Sequence, residues 1–184
     1  LAEDKFKRRP ALRRAAFFWQ QLGKKEIEMP VRIATEDDLP AMVSLIEAHR
    51  VQLKEWQPRF WNPAPGAAEM SKQWFGHLIS QTSNLGLVHE SDGTIDGFLI
   101  ATIVPAPPVY DPGGLTCLID DFAVASDDLW PSVGEALVQY TSGWSKENGA
   151  SQTVIITPMA HNEKMAFVEN RRMTPSASWW VQDN

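Results

Sequence analysis

A mixed β-sheet with helices on both faces (an α/β fold) is predicted by three features of this chain. Strand-like and helix-like patterns follow one another in the order β-α-α-β-β-β-α-β-α-β, with no internal repeat and no low-complexity tract. The pair Asp92-Gly93 sits between two apolar strand patterns and marks a tight hairpin. The segment from Leu115 to Leu137 reads as a buried strand, a short polar loop and a helix start built around Ser132, Gly134 and Ala136. Small residues at a helix start leave room for an anion beside its unpaired N–H groups.

In chain order, 31–34 is a short strand and Thr35 an N-cap, with Asp38 in the capping-box position. Leu39, Met42, Leu45, Ile46 and His49 repeat at helical spacing to about Val51. Aromatic and proline-rich 52–66 predicts an irregular connection, and Met70, Trp74, Phe75 and Leu78 predict a helix over 67–80. Residues 85–90 and 95–104 form the hairpin strands. The segment 105–114 is barred from regular structure by its prolines and glycines. A strand over 115–124 follows, then a helix entered at Pro131 and closed at Gly149. The rest reads as a strand over 153–157, a helix from Asn162 to about Met173 and a last strand over 178–182.

The chain has 184 residues, 43% of them apolar and 22% charged, which suits one folded domain. Its formal charge of −6 is uneven. Residues 1–28 carry eight Lys/Arg against four Asp/Glu, whereas 29–184 carry nine against nineteen. We therefore divide the chain into a basic extension, 1–28, and an acidic body, 29–184. The body disfavours nucleic acid and favours cationic small molecules. The extension, with Phe17, Phe18, Trp19 and Leu22 on one side of a helix expected after Pro10, is the part suited to an anionic surface. No run is long enough to span a bilayer. The single cysteine, Cys117, lies in an apolar run, so a buried, reduced thiol and a cytoplasmic location are expected. The histidines at 49, 77, 89 and 161 lack metal-ligand spacing, so no metal is expected.

The element order, with the strand–loop–helix of 115–137, resembles the GNAT-type N-acetyltransferases over roughly residues 31–182. Val124, Gly134 and Ala136 match the small-residue pattern of that family's cofactor loop. Pro131 replaces its Arg or Gln, Ser126 replaces its proline, and the loop is two residues longer. The segment 160–182 is similar to the family's last helix and strand, with Arg172-Met173 for Gly-Phe and no tyrosine at 167 or 169.

The resemblance implies a mostly antiparallel sheet splayed in its middle and acetyl-CoA bound as co-substrate in the gap beside 115–124. Backbone of Phe122, Ala123 and Val124 would pair with the pantetheine arm. Amides of Ser132, Val133, Gly134, Glu135 and Ala136 would hold the diphosphate. Asp127 and Asp128 would weaken that grip unless they cap the helix or point away.

Acyl transfer needs a neutral amine, a polarised thioester and a proton for the thiolate. Asp120 and Asp121 are the nearest candidate bases, and strand alternation is expected to leave only one of them facing the gap. Glu169 falls near the family's missing tyrosine, and Tyr110 is a candidate acid reaching over the site. Trp56, Phe60, Trp61 and Tyr110, with Trp74, are the candidate acceptor wall for an amine. The expected activity is N-acetylation of a small-molecule or peptide amine. A CoA-binding or regulatory module without catalysis, or a nucleic-acid-associated protein working through 1–28, remain the alternatives. A homodimer is left open.

Overall fold

The structure, a computed structural model, describes residues 30–182. The basic segment 1–28 and the domain boundary at Met29 lie outside the described residues. The elements are β1 (Val31–Ile33), α1 (Leu39–Trp56), α2 (Ala67–Ser80), β2 (Asn84–Ser91), β3 (Thr94–Val104), β4 (Leu115–Val124), α3 (Glu135–Glu147), β5 (Ala150–Ile155) and α4 (Asn162–Asn170). They build one five-stranded sheet in the order β1-β2-β3-β4-β5. The first three pairings are antiparallel; β4 and β5 are parallel, as the intervening α3 crossover requires.

Both sheet faces are covered, which is why β2 and β3 read as continuous apolar runs. On one face Leu39, Met42 and Ile46 of α1 and Phe75 of α2 pack on Val88, Phe98, Ile100 and Ala123. On the other, Leu137 and Val138 of α3 and Phe167 of α4 pack on Leu87, Leu99, Cys117, Ile119 and Phe122. The hairpin turn has Asp92 at φ 50° and Gly93 at φ 75°, the two left-handed positions that a tight two-residue loop demands.

Arg32 ties the sheet edge to α1. Its guanidinium donates to both oxygens of Asp38 at 2.8 Å and, through Nε, to Glu90 at 2.8 Å. Asp38 also accepts from the Thr35 N–H and hydroxyl, completing the expected capping box.

Two expectations fail. α1 runs on to Trp56 because His49, Leu53 and Trp56 continue its helical spacing, with Leu53 buried. The strand expected over 178–182 does not form: Arg172 takes a left-handed φ of 61°, Pro175 lacks an N–H, and the chain leaves the sheet. The Trp179 ring instead meets Phe60 at 5.7 Å.

Arg32, against the opposing effect of burial, holds the Asp38 carboxyl below the usual carboxylate range. Its contribution is present above about pH 4 and fades as pH falls through that lowered value. Asp38→Ala should cost about 1–2 kcal/mol at pH 7 in urea unfolding. The difference from the native chain should shrink toward pH 2.

Candidate active site

β4 carries an extra residue. Leu99 pairs with Phe122 and Ala101 with Ile119, so Asp120 and Asp121 together oppose the single residue Ile100. Such a bulge reverses the inside–outside alternation of a strand. Cys117, Ile119 and Phe122 therefore share the α3 face, while Asp120 and Asp121 both look toward α1 and α2. This corrects the expectation that alternation would send the two carboxylates to opposite faces.

The same place ends the pairing of β4 with β5. Their register closes at Ile119–Ile155, with one further bond from the Ile156 N–H to the Ile119 carbonyl at 3.0 Å. Pro158 then turns β5 aside, and 120–124 keep only β3 as a strand neighbour. A gap opens beside Phe122–Val124.

At the foot of that gap lies a cavity of about 440 Å³ between α1, α2 and β4. Asp120 and Asp121 form its floor, Phe60, Trp61 and Trp74 an aromatic wall, and His49, Arg50 and Lys164 its remaining charged or titratable lining. Arg50 is held by Glu47 and by Ser71 at 2.7 Å, so it stays on the cavity's side. Burial, reinforced by Asp120, pushes the Asp121 carboxyl up to about 6 against the pull of Arg50 and Lys164. His49 is pushed down to about 4 by burial and by Lys164 and His161, and so is neutral at pH 7.

Lys164, in the first turn of α4, is buried. Its Nζ donates to the Phe122 carbonyl at 3.1 Å and lies 5.1 Å from the Phe122 ring centre and 5.2 Å from that of Trp130. Burial lowers it to about 8, while Asp120 and Asp121 pull it back up.

Beside it, His161 Nε2 donates to Asp127 Oδ1 at 2.8 Å, which leaves Nδ1 buried and without a partner. Burial would raise the Asp127 carboxyl, but hydrogen bonds from His161 and Trp130 prevail and hold it below the usual range. Ligand-capable atoms of Asp127, His161 and Glu163 lie within 4.8 Å of one another. The Asp127–His161 hydrogen bond accounts for the approach of those two.

The helix entrance differs from the expectation. A 3-10 turn over Asp127–Leu129 runs into a π-helical turn over Trp130–Gly134 and then into α3, so helical backbone begins before Pro131. Asp127 accepts from Trp130 Nε1 at 3.2 Å, and Ser126 donates to Asp128 at 2.5 Å. The chain's own carboxylates thus stand at the positive end of the helix. A Cβ on Gly134 would lie 3.0 Å from Trp130 and 3.6 Å from both Phe122 and Phe167. The glycine makes room for the indole in the core, and Val133 is buried with it. Ser132 is exposed, and Glu135 pairs with Arg171. The adjoining groove, about 360 Å³, is lined by Asp127, Asp128, Glu135 and Glu163.

For acetyl-CoA the fit is divided. The free edge at Phe122–Val124 suits the donor's arm once Lys164 leaves the Phe122 carbonyl. The acidic groove opposes its diphosphate.

Of the other residues singled out, Phe60 and Trp61 reach the cavity, whereas Trp56 packs behind it on His49 and His161 at 6.2 and 5.1 Å between ring centres. Tyr110 is 72% exposed in the loop that enters β4 at Leu115, the start of a strand in which Asp120 stands midway, and does not line the cavity. Glu169 lies near the end of α4, also off the cavity. Reading the sequence missed Lys164, His161 and His49 as a group. The available signal was a lysine three positions after a histidine in the first turn of the last helix, with His49 on the apolar stripe of the first.

No family model matches this chain, and no curated protein does. Solved structures do match. A mutant of the BH1408 protein from Bacillus halodurans superposes with a TM-score of 0.74 at 13% identity, covering 84% of this chain and 98% of its own. A transcriptional regulator from Bacillus halodurans C-125 gives 0.63 at 20% identity, covering 84% and 98%. A predicted acetyltransferase with acetyl-CoA from Clostridium acetobutylicum gives 0.63 at 12% identity, covering 83% and 94%. Further neighbours are a ribosomal-protein-alanine N-acetyltransferase, an aminoglycoside acetyltransferase and a glucosamine-6-phosphate N-acetyltransferase. Such identities establish architecture alone. With its five-stranded, mostly antiparallel sheet that parts between β4 and β5, this chain has the fold of the GNAT acetyltransferases.

Proposed function

We propose that the chain is an N-acetyltransferase that transfers an acetyl group from acetyl-CoA to a small-molecule or peptide amine. One observation carries this reading: the unpaired stretch of β4 and the cavity holding both carboxylates meet at Asp120–Asp121. The donor supplies an activated thioester carbonyl. This chain's residues do the rest.

Phe60, Trp61 and Trp74 take the body of the amine, and a cationic head is drawn to Asp120 and Asp121. A protonated amine has no lone pair for attack. Asp121, raised to about 6, is ionised at neutral pH yet basic enough to accept its proton. A backbone N–H of the free β4 edge polarises the carbonyl. The buried Cys117 thiol, raised to about 11 by burial, supports a reducing, cytoplasmic setting. No helix among the described residues is long and apolar enough to cross a membrane.

A second reading, an amine-binding or regulatory module that does not transfer, is favoured by Lys164 in the gap and by the acidic groove. One structural neighbour bears the name of a transcriptional regulator.

Titration calorimetry with acetyl-CoA, followed by thiol release over a panel of amines, separates the two. Heat and thiol release support transfer. Heat without release selects the module, and no heat at high micromolar donor removes acetyl-CoA from both readings. Asp128→Asn should tighten acetyl-CoA binding about fivefold, the worth of ~1 kcal/mol of relieved repulsion. Asp121→Asn should lower kcat about 100-fold. The protonated form of Asp121 favours the fold, so native stability falls as pH rises from about 4 through about 6. The Asn variant escapes that loss and should be more stable than the native chain at pH 8 by roughly 1–2 kcal/mol.

A further inference from the structure

Acyl transfer gives the amine of Lys164 no task beyond leaving the Phe122 carbonyl. Yet this buried amine lines a cavity large enough for an organic ligand, and two carboxylates line it too. We infer that Lys164 is a covalent site for a small aldehyde with an aromatic or apolar body, held in the cavity as an imine. The inference stands apart from the acetyl-CoA reading, because it needs no donor in the gap.

Three observations carry it. The cavity offers Phe60, Trp61 and Trp74 for the body of the aldehyde. Lys164 Nζ has a partner, the Phe122 carbonyl, that an iminium N–H can keep, and two rings that suit a cation of either kind. Asp120 and Asp121 of β4 supply a proton carrier in the same cavity. The groups facing Lys164 are these two carboxylates, Arg50 and His49 of α1, and His161 at the start of its own helix.

Burial brings the lysine down to about 8 and Asp121 up to about 6, so the amine and the acid move toward each other. A larger share of Lys164 is therefore neutral at pH 7 than of a lysine in water. Desolvation of this kind is how lysine nucleophiles are activated.

The step balances without an oxidant or reductant. The neutral amine attacks the carbonyl carbon, and a proton passes from nitrogen to oxygen to give a hydroxyl-bearing carbinolamine. The Asp121 carboxylate, having taken the proton that the Lys164 ammonium gave up to become the neutral amine, returns it to that hydroxyl, which leaves as water while the C=N bond forms. The products are an iminium at Lys164, a carboxylate at Asp121 and one water.

The test uses the full chain with substoichiometric benzaldehyde and cyanoborohydride at pH 7, followed by peptide mapping. Label should reach Lys164 ahead of the exposed Lys54, Lys72 and Lys146. Lys164→Met should abolish the fast phase, and Asp121→Asn should slow it about tenfold. Labelling of the exposed lysines with Lys164 left unmodified would overturn the inference. That map of the native chain decides the question even if Lys164→Met does not fold. A urea-unfolded sample, in which all lysines react alike, shows that the Lys164 peptide can be detected.

Discussion

A strand can serve two neighbours only while it keeps its register with both, and β4 loses that condition at Asp120. The extra residue there is accommodated toward β3 by a bulge. Toward β5 it is not accommodated, and pairing stops after Ile119. From this one mismatch follow the gap beside Phe122–Val124, the placing of two adjacent carboxylates on one face, and the cavity into which they look. Straighten β4 and one carboxylate would turn into the apolar layer of Ile119, Phe122 and Leu137, where an ionised group cannot be paid for by packing.

The polar groups gathered around this opening explain one another. Lys164 is buried beneath α4, and it remains compatible with the fold because a backbone carbonyl, two ring faces and two carboxylates receive its charge. His49 stays neutral beside it, first because it is buried and then because a second cation in that space would be opposed by Lys164. On the far side, His161 is oriented by Asp127, whose carboxylate also receives the Trp130 indole N–H. Trp130 in turn fills the space that Gly134 leaves. The loop after β4 is thus built as a packed, acidic helix cap. A cavity lined by two carboxylates and an acidic helix cap coexist because different residues make them.

Much of the architecture was legible in the sequence because it rests on local rules. The Thr35–Asp38 cap, the Asp92-Gly93 turn and the β4 limits each depend on a few neighbouring residues, and each formed as read. The end of α1 was misjudged because the prolines and aromatics of 52–66 outweighed the spacing of His49, Leu53 and Trp56. The absent last strand shows the limit of alternation as a signal: Trp179 and Trp180 look strand-like, but no β5 partner is engaged there. At the site, the carboxylates were found by type and misplaced by face, since a bulge is a property of two strands and one strand's sequence does not display it. Lys164 was passed over for a similar reason. Lysines are ordinarily solvated, and only the meeting of α4 with the open edge of β4 buries this one.

Lys164 also makes the two proposed uses of the opening compete. While its N–H groups hold the Phe122 carbonyl, that carbonyl is closed to the arm of a donor. Swinging Lys164 out would cost its contacts with Phe122 and Trp130 and leave Arg50 as the cation that offsets the Asp120–Asp121 pair. A cationic amine entering the cavity restores that balance, so acceptor binding and opening of the gap favour each other. An imine at Lys164 has the reverse effect, because it keeps a cation and an N–H in place and fills the acceptor space. Acceptor first and donor second is therefore the order that the charges around β4 support.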